Sequence, residues 1–443
     1  MTVATQSDSR IDAFARLQEG LKASTPFLQR FREEGMARFA ALGFPSTRQE
    51  EWKYTSVAPI VSTDFAVATN LESRVDRDRI AGWMLGNDAM AELVFVNGHF
   101  SESLSRLSGL PDGIRIENLA RRFDEALVQD HLGALADGTG HPFVALNAGL
   151  LQDGALVHLA DGAVAAKPIH LLFLTVAGAK PAIASPRILV IAERNTQATV
   201  IESWCGEEGE SLTLTNAVTE IFTADNALLQ HIKMQQESPR AYHLATLHQR
   251  QGRASSFASH SISLGARLAR NDIRAILDGE GADCVLNGLY LLEDDQHLDN
   301  KTLIDHASPH ATSRELYKGM LDGRSRGIFE GKIIVRQDAQ KTNARQTNNN
   351  LILSREAIAN STPQLEIYAD DVKCAHGSTI GRLEENAVFY LRSRGIEEQQ
   401  ARAILMHGFA KEVVDPIPVE ALRRRIEALL LSRLPGGGEG VGS

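Results

Sequence analysis

The segment ADDVKCAHG, residues 369–377, carries the residue types best suited to metal chemistry. In an extended strand, residues two apart are separated by about 6.6–6.8 Å and face the same way. Cys374 and His376 therefore share a face, with Lys373 and Ala375 opposite. A thiolate and an imidazole are soft-to-borderline ligands for iron or zinc. Two ligands are fewer than a cluster needs, and Asp370 and Asp371 are the only nearby supplements. A buried cysteine beside a solvated histidine explains the same residues equally well. A second group, His297, His306 and His310, lies close to Asp294, Asp295, Asp299 and Asp305 and defines the competing possibility, a metal-dependent enzyme. Its centre, Asp305–His310, has the composition of a turn, where polar side chains are normally just solvated.

Other catalytic equipment is missing. The sequence has no phosphate-cradling GxxxxGK[ST] loop; Gly331-Lys332-Ile333 lacks both its spacing and its hydroxyl. Gly279-Glu280-Gly281 is too short for a dinucleotide fingerprint, and no HExxH helix is present. Any use of ATP therefore falls to another chain. The three cysteines, Cys205, Cys284 and Cys374, are far apart and form no CxxC pair, so a disulfide framework is not expected. A net charge of -10 provides no global footprint for nucleic acid or an anionic membrane. No apolar run is long enough to span a bilayer, and the first residues lack a basic stretch followed by an apolar one. Together these features predict a cytoplasmic protein with no nucleic-acid or membrane partner.

The elements that must position these residues follow from periodicity. A chain of 443 residues needs two or three structural units, and 43% hydrophobic with 23% charged residues argues for globular rather than disordered ones. Phe14, Leu17 and Leu21, then Phe27 and Phe31, have helical spacing. Leu93–Val96 ends in the turn dipeptide Asn97-Gly98, and residues 116–135 return to helical spacing. From Pro168 to Gly381 short β-rich runs alternate with turns at Asn195, Asn226, Gly252, Gly281, Pro309, Asp338 and Asp371, 26 to 33 residues apart. That period, with strands on both sides of each turn, predicts a parallel β-helix over a sandwich, whose strands would be more closely spaced. Phe329, Gly331, Ile333 and Val335 share one strand face, and Gln346, Asn348, Asn349 and Asn350 have the composition of stacked corner amides. After Gly395 one helix carries Ala401, Ile404, Leu405, Gly408 and Phe409 on a single face, and a second carries Val419, Leu422, Ile426, Leu429 and Leu430. These helices would cap the solenoid or dock another protein. The expected units are 1–165, 166–389 and 390–434, with 435–443 a disordered tail.

Longer motifs add a family. FEGKI (329–333), AQKTNARQTNNNLILS (339–354) and LEIYADDVKCAHGSTIG (365–381) resemble the SufB/SufD family, scaffold subunits of the sulfur-mobilisation machinery that builds iron–sulfur clusters. YLRSRGI (390–396) resembles the start of that family's C-terminal helices. EWKYT (51–55) and VFVNG (94–98) resemble the SufD branch. The extra cysteines of the SufB branch are absent, and His376 stands where that branch has a cysteine near the end of the solenoid. The resemblance implies a mainly β protein: a right-handed parallel β-helix core flanked by an N-terminal α/β and a C-terminal α-helical domain. It further implies a non-enzymatic scaffold that pairs with SufB through the last coils, binds the SufC ATPase on the helices around Ala401–Phe409, and can form a homodimer when alone. No cofactor is expected in the isolated chain. A cluster would be held transiently at the SufB–SufD interface beside His376 and Cys374.

Overall fold

In the computed structural model, which describes residues 3–207 and 209–433, long strands alternate between two facing sheets. From strand Arg187–Ala192 onward each strand that has a later partner pairs in parallel with the strand two positions later, so the chain winds as a flattened β-solenoid. Among the described residues one sheet has eleven strands and the other ten. Register in the ten-stranded sheet stacks Gln197 on Leu228, Ser256, Asp283, Thr312, Asn343 and Lys373 in turn. The expected tail, 435–443, lies outside the described residues.

One corner of each coil explains the regular spacing of the turns. Asn195, Asn226, Ala254, Gly281, His310 and Lys341 all have left-handed backbones, with φ between 52° and 71°. Each donates its backbone N–H to a carbonyl one coil on: Asp225, Arg253, Glu280, Pro309, Gln340 and Asp371 respectively. Asparagine and glycine adopt this conformation readily, and those three corners are where composition locates them. Ala254, His310 and Lys341 carry no such signal, and there the expected turns fall one to three residues early.

The space between the sheets is filled by side chains at alternate positions. Phe329, Gly331, Ile333 and Val335 face inward as expected, while Glu330 and Lys332 are only half-buried. Two interior glycines make room for rings of the neighbouring coil. A Cβ on Gly288 would lie 2.2 Å from the Tyr317 ring, and one on Gly319 would lie 2.2 Å from the Tyr290 ring.

The first 150 residues close one end of the rod. Helix Pro26–Leu42 packs on helix Pro142–Leu150, and Gly35 allows the approach, since a Cβ there would sit 2.6 Å from that of Ala148. Ala91–Val96 turns through Asn97-Gly98 (φ 53° and 81°) into an antiparallel partner, His99–Arg106, and also extends the ten-stranded sheet through Ile169–Thr175. Residues 116–135 are not one helix. They hold the end of strand Ile114–Asn118, a single 3₁₀ turn and helix Ala126–His131. That strand pairs antiparallel with Gly154–Leu159, where the parallel ladder begins, twelve residues before the expected boundary.

The C-terminal helices do not cap the other end. Glu398–Val414 and Glu420–Arg433 fold back along the outside of the ten-stranded sheet, joining Met406, Ala410, Val413 and Ile426 to Ile232, Met234, Ile262, Leu289, Leu291 and Met320 in one buried cluster. The preceding helix, Glu385–Ser393, straddles the expected boundary at 389. The outer sheet face is itself apolar here, and the helices bury it. The last coil is left bare.

Candidate functional site

The bare coil is made of strands Ile358–Ile367 and Lys373–Gly381, the terminal strands of their two sheets. Among the described residues no strand lies beyond their outer backbone edges, which makes them templates for pairing. Tyr368 and Ile380 are 64% and 51% exposed, and Ile358 and Ile367 are also open to solvent. A lone soluble strand edge is normally blunted. Pro363 does this for the first strand, where a missing N–H is tolerated at an edge, but the second strand has no such device.

Cys374 and His376 lie on this second strand and share a face, as their spacing requires. The face is the inner one: their register partners Ala344 and Gln346 are both buried. Cys374 packs against the solenoid core, and burial pushes its thiol above the ordinary range. His376 is exposed, because no further coil covers it. Asp371 is paired with Lys341 and Asp370 is open to solvent. One half-buried thiol and one open imidazole face the end of the rod, too small a ligand set to enclose a metal. Among the described residues no group of three or more such side chains converges.

The alternative histidine group does not form a site. His297 and His306 are the two ends of one ten-residue strand, about 30 Å apart. His297 contacts Thr55 Oγ1 at 2.9 Å, and Thr55 donates to Asp299 at 2.6 Å. With Trp52, whose ring lies 3.9 Å under the Arg270 guanidinium, these residues fasten the EWKYT segment to the flank of the solenoid. His306 is buried against Ser313 Oγ at 2.8 Å, and burial pulls its imidazole down to about 4. His310 is one of the left-handed corners. Residues clustered in sequence are spread along a strand, which rules out the shared coordination that the spacing allowed.

The expectation that the sequence has no G-x-S-x-G nucleophile elbow is corrected here: Gly323-Arg324-Ser325-Arg326-Gly327 has its letters. It is a solenoid corner followed by a strand rather than a helix. The Ser325 hydroxyl is buried with no hydrogen-bond partner, so no base activates it.

The amide run also lies elsewhere than expected. Gln346, Asn348 and Asn350 are in mid-strand on the inner face, fully buried, not at a corner. With Glu315, Tyr317 and Tyr290 they form a polar interior beneath the last coil. Gln346 Nε2 donates to Glu315 Oε2 at 2.6 Å, and Tyr290 Oη donates to Asn350 Oδ1 at 2.5 Å. Burial pushes the Glu315 carboxyl up to about 7, against the opposing effect of the hydrogen bond it accepts from Gln346. Nothing in the local sequence around Glu315 marks it as interior; only register does.

The expected docking face on helix Glu398–Val414 divides in two. Ala401 is buried, and Phe409 is half-buried with its ring 4.5 Å from Lys318 Nζ. Ile404 and Gly408 are exposed and Leu405 is half-exposed; beside them helix Glu385–Ser393 exposes Phe389 and Tyr390. The helix is apolar on more than one side, so spacing alone selected a face that mixes packing with surface.

With this geometry in hand, comparisons with known proteins agree on one group. Residues 173–409 match the family described as SUF system FeS cluster assembly, SufBD core domain, and residues 5–171 match the SufBD protein N-terminal region. An iron–sulfur cluster assembly SufBD family protein of Synechocystis sp. is 36% identical, covering 89% of this chain and 88% of its own length. The iron–sulfur cluster assembly protein SufD of Escherichia coli is 32% identical, over 91% of this chain and 93% of its own. A chloroplastic protein of Arabidopsis thaliana, ABCI7, is 28% identical over 92% and 87%.

Proposed function

The chain belongs to the SufB/SufD family of iron–sulfur cluster assembly proteins, with SufD the branch it resembles, and on that premise we propose that it is a non-enzymatic scaffold subunit that builds clusters only in company. The carrying observation is the uncovered last coil, which holds an open imidazole and a thiol on the inner face of an unpaired strand. In this reading a SufB subunit continues the sheets across that edge and brings the thiolates that His376 lacks. The iron–sulfur cluster is the cargo of the seam, not a resident cofactor, and His376 is its ligand from this side, with Cys374 a weaker contributor because its thiol is half-buried. ATP is hydrolysed by a SufC subunit seated on the exposed strip of Phe389, Tyr390, Ile404 and Gly408. Rearrangement of the ATPase subunits strains the helices, which are fastened along the ten-stranded sheet, and opens the seam to iron and sulfur. No described helix is long and apolar enough to cross a membrane, in keeping with a cytoplasmic complex.

The test is co-expression of the chain with SufB and SufC subunits. His376→Ala is expected to leave the complex assembled by size and composition while lowering its iron and sulfide content at least several-fold. Unchanged cluster content in an intact complex would refute the ligand role. A chain that copurifies with neither subunit would refute the scaffold role.

A further inference from the structure

Leu286, Glu315, Gln346 and His376 are successive register partners in the ten-stranded sheet, one per coil, all on its inner face. Strands in a sheet are about 4.8 Å apart, so side chains in such a column stack directly. Gln346 is 0% exposed. Its amide nitrogen is committed downward, to Glu315 Oε2 at 2.6 Å. Its amide oxygen is buried and has no hydrogen-bond partner. Space has been left for this amide on the facing strand: a Cβ on Gly331 would lie 2.2 Å from Gln346 Nε2. The next side chain up the column is His376. An unpaired buried carbonyl oxygen is costly, typically about 1–3 kcal/mol, and the side chain that follows it in the column belongs to His376.

We propose that Gln346 is a positioning residue for His376, its amide oxygen accepting the N–H of one ring nitrogen so that the other, unprotonated nitrogen is held toward the open end of the rod. Glu315 orients the amide from below: once ionised, as at pH 8, its carboxylate oxygen admits only the NH₂ end of the side chain. Histidines that bind metals ordinarily donate their second N–H to a carbonyl or carboxylate, which fixes tautomer and ring direction. Here the acceptor is one coil deeper on the same face. This inference rests on the reading of His376 as a ligand for the seam, but it concerns the free chain and is tested there.

The experiment uses the full chain labelled with ¹⁵N at histidine, at pH 8, with the His376 ring signals identified by their loss in His376→Ala. A single neutral tautomer is expected in the parent. Gln346→Met keeps length and volume but removes the acceptor, and should give two exchanging tautomers. Glu315→Gln keeps an oxygen for the Gln346 amide and should retain the single form. A single tautomer that survives in Gln346→Met, or a mixture already present in the parent, overturns the proposal. Cluster content of the His376→Ala complex separates the two ideas. If it is unchanged while Gln346→Met scrambles the tautomer, the positioning stands and the ligand reading falls. If it collapses while Gln346→Met leaves the tautomer single, the ligand stands and the positioning falls.

Discussion

A carboxyl sealed inside the solenoid makes stability depend on pH, and the sign follows from Glu315. Its proton is released near 4.5 when the chain is unfolded and near 7 when folded. Between those values the folded state holds the extra proton, so stability falls as pH rises through the window. The cost of ionising the buried group is about 3 kcal/mol once pH exceeds both values. Glu315→Gln should remove that slope: little change at pH 5, and a higher urea midpoint than the parent at pH 8. A Glu315→Gln midpoint no higher than the parent's at pH 8 would contradict the burial argument. His376 lies two steps further along the same column and is exposed. The column thus grades from a dry carboxyl to an open imidazole within two steps of register.

At the scale of elements, the C-terminal helices fasten to the solenoid on one side and offer apolar surface on the other. Met406 is 2% exposed and belongs to the cluster with the sheet, whereas Phe389 is 71% exposed and contributes nothing to it. Paired substitutions separate these roles. Phe389→Glu with Ile404→Glu should leave the melting temperature within about 1 °C, as surface changes usually do, yet abolish copurification of the SufC subunit. Met406→Glu should instead destabilise by several kcal/mol, because it buries a charge without a partner. Retained SufC binding in the first variant would move the docking surface elsewhere on the chain. The EWKYT segment, a motif of the family resemblance, has a structural use: Trp52 packs on Arg270, and Thr55 meets His297 and Asp299 on the neighbouring solenoid strand.

The whole molecule is a rod with one closed and one open end. Antiparallel strands from the first 120 residues terminate both sheets at the start, while at the finish two edges and four large apolar side chains face solvent. Parallel solenoids gain stability coil by coil, and an uncapped end is the place where another coil adds on. In the absence of SufB the chain should self-associate through this end. Sedimentation should give a weight-average mass that rises with concentration, and Tyr368→Lys with Ile380→Lys should hold it at the monomer value without altering the melting temperature. Self-association untouched by those lysines would locate the contact away from the open coil.

Periodicity along the chain determined the solenoid. A coil closes when its corner residue returns to the same column, and asparagine or glycine at Asn195, Asn226 and Gly281 announces that return locally. Alternation likewise put Cys374 and His376 on one face, since the two-residue period of a strand is a property of the backbone itself. What neighbours lie above, below and opposite is not local. Whether His376 is covered depends on how many coils follow it; whether Gln346 lies at a corner or in the core depends on register with Glu315, 31 residues earlier. The folding back of the last helices along the sheet was decided in the same way, by which apolar surfaces had to be buried against each other.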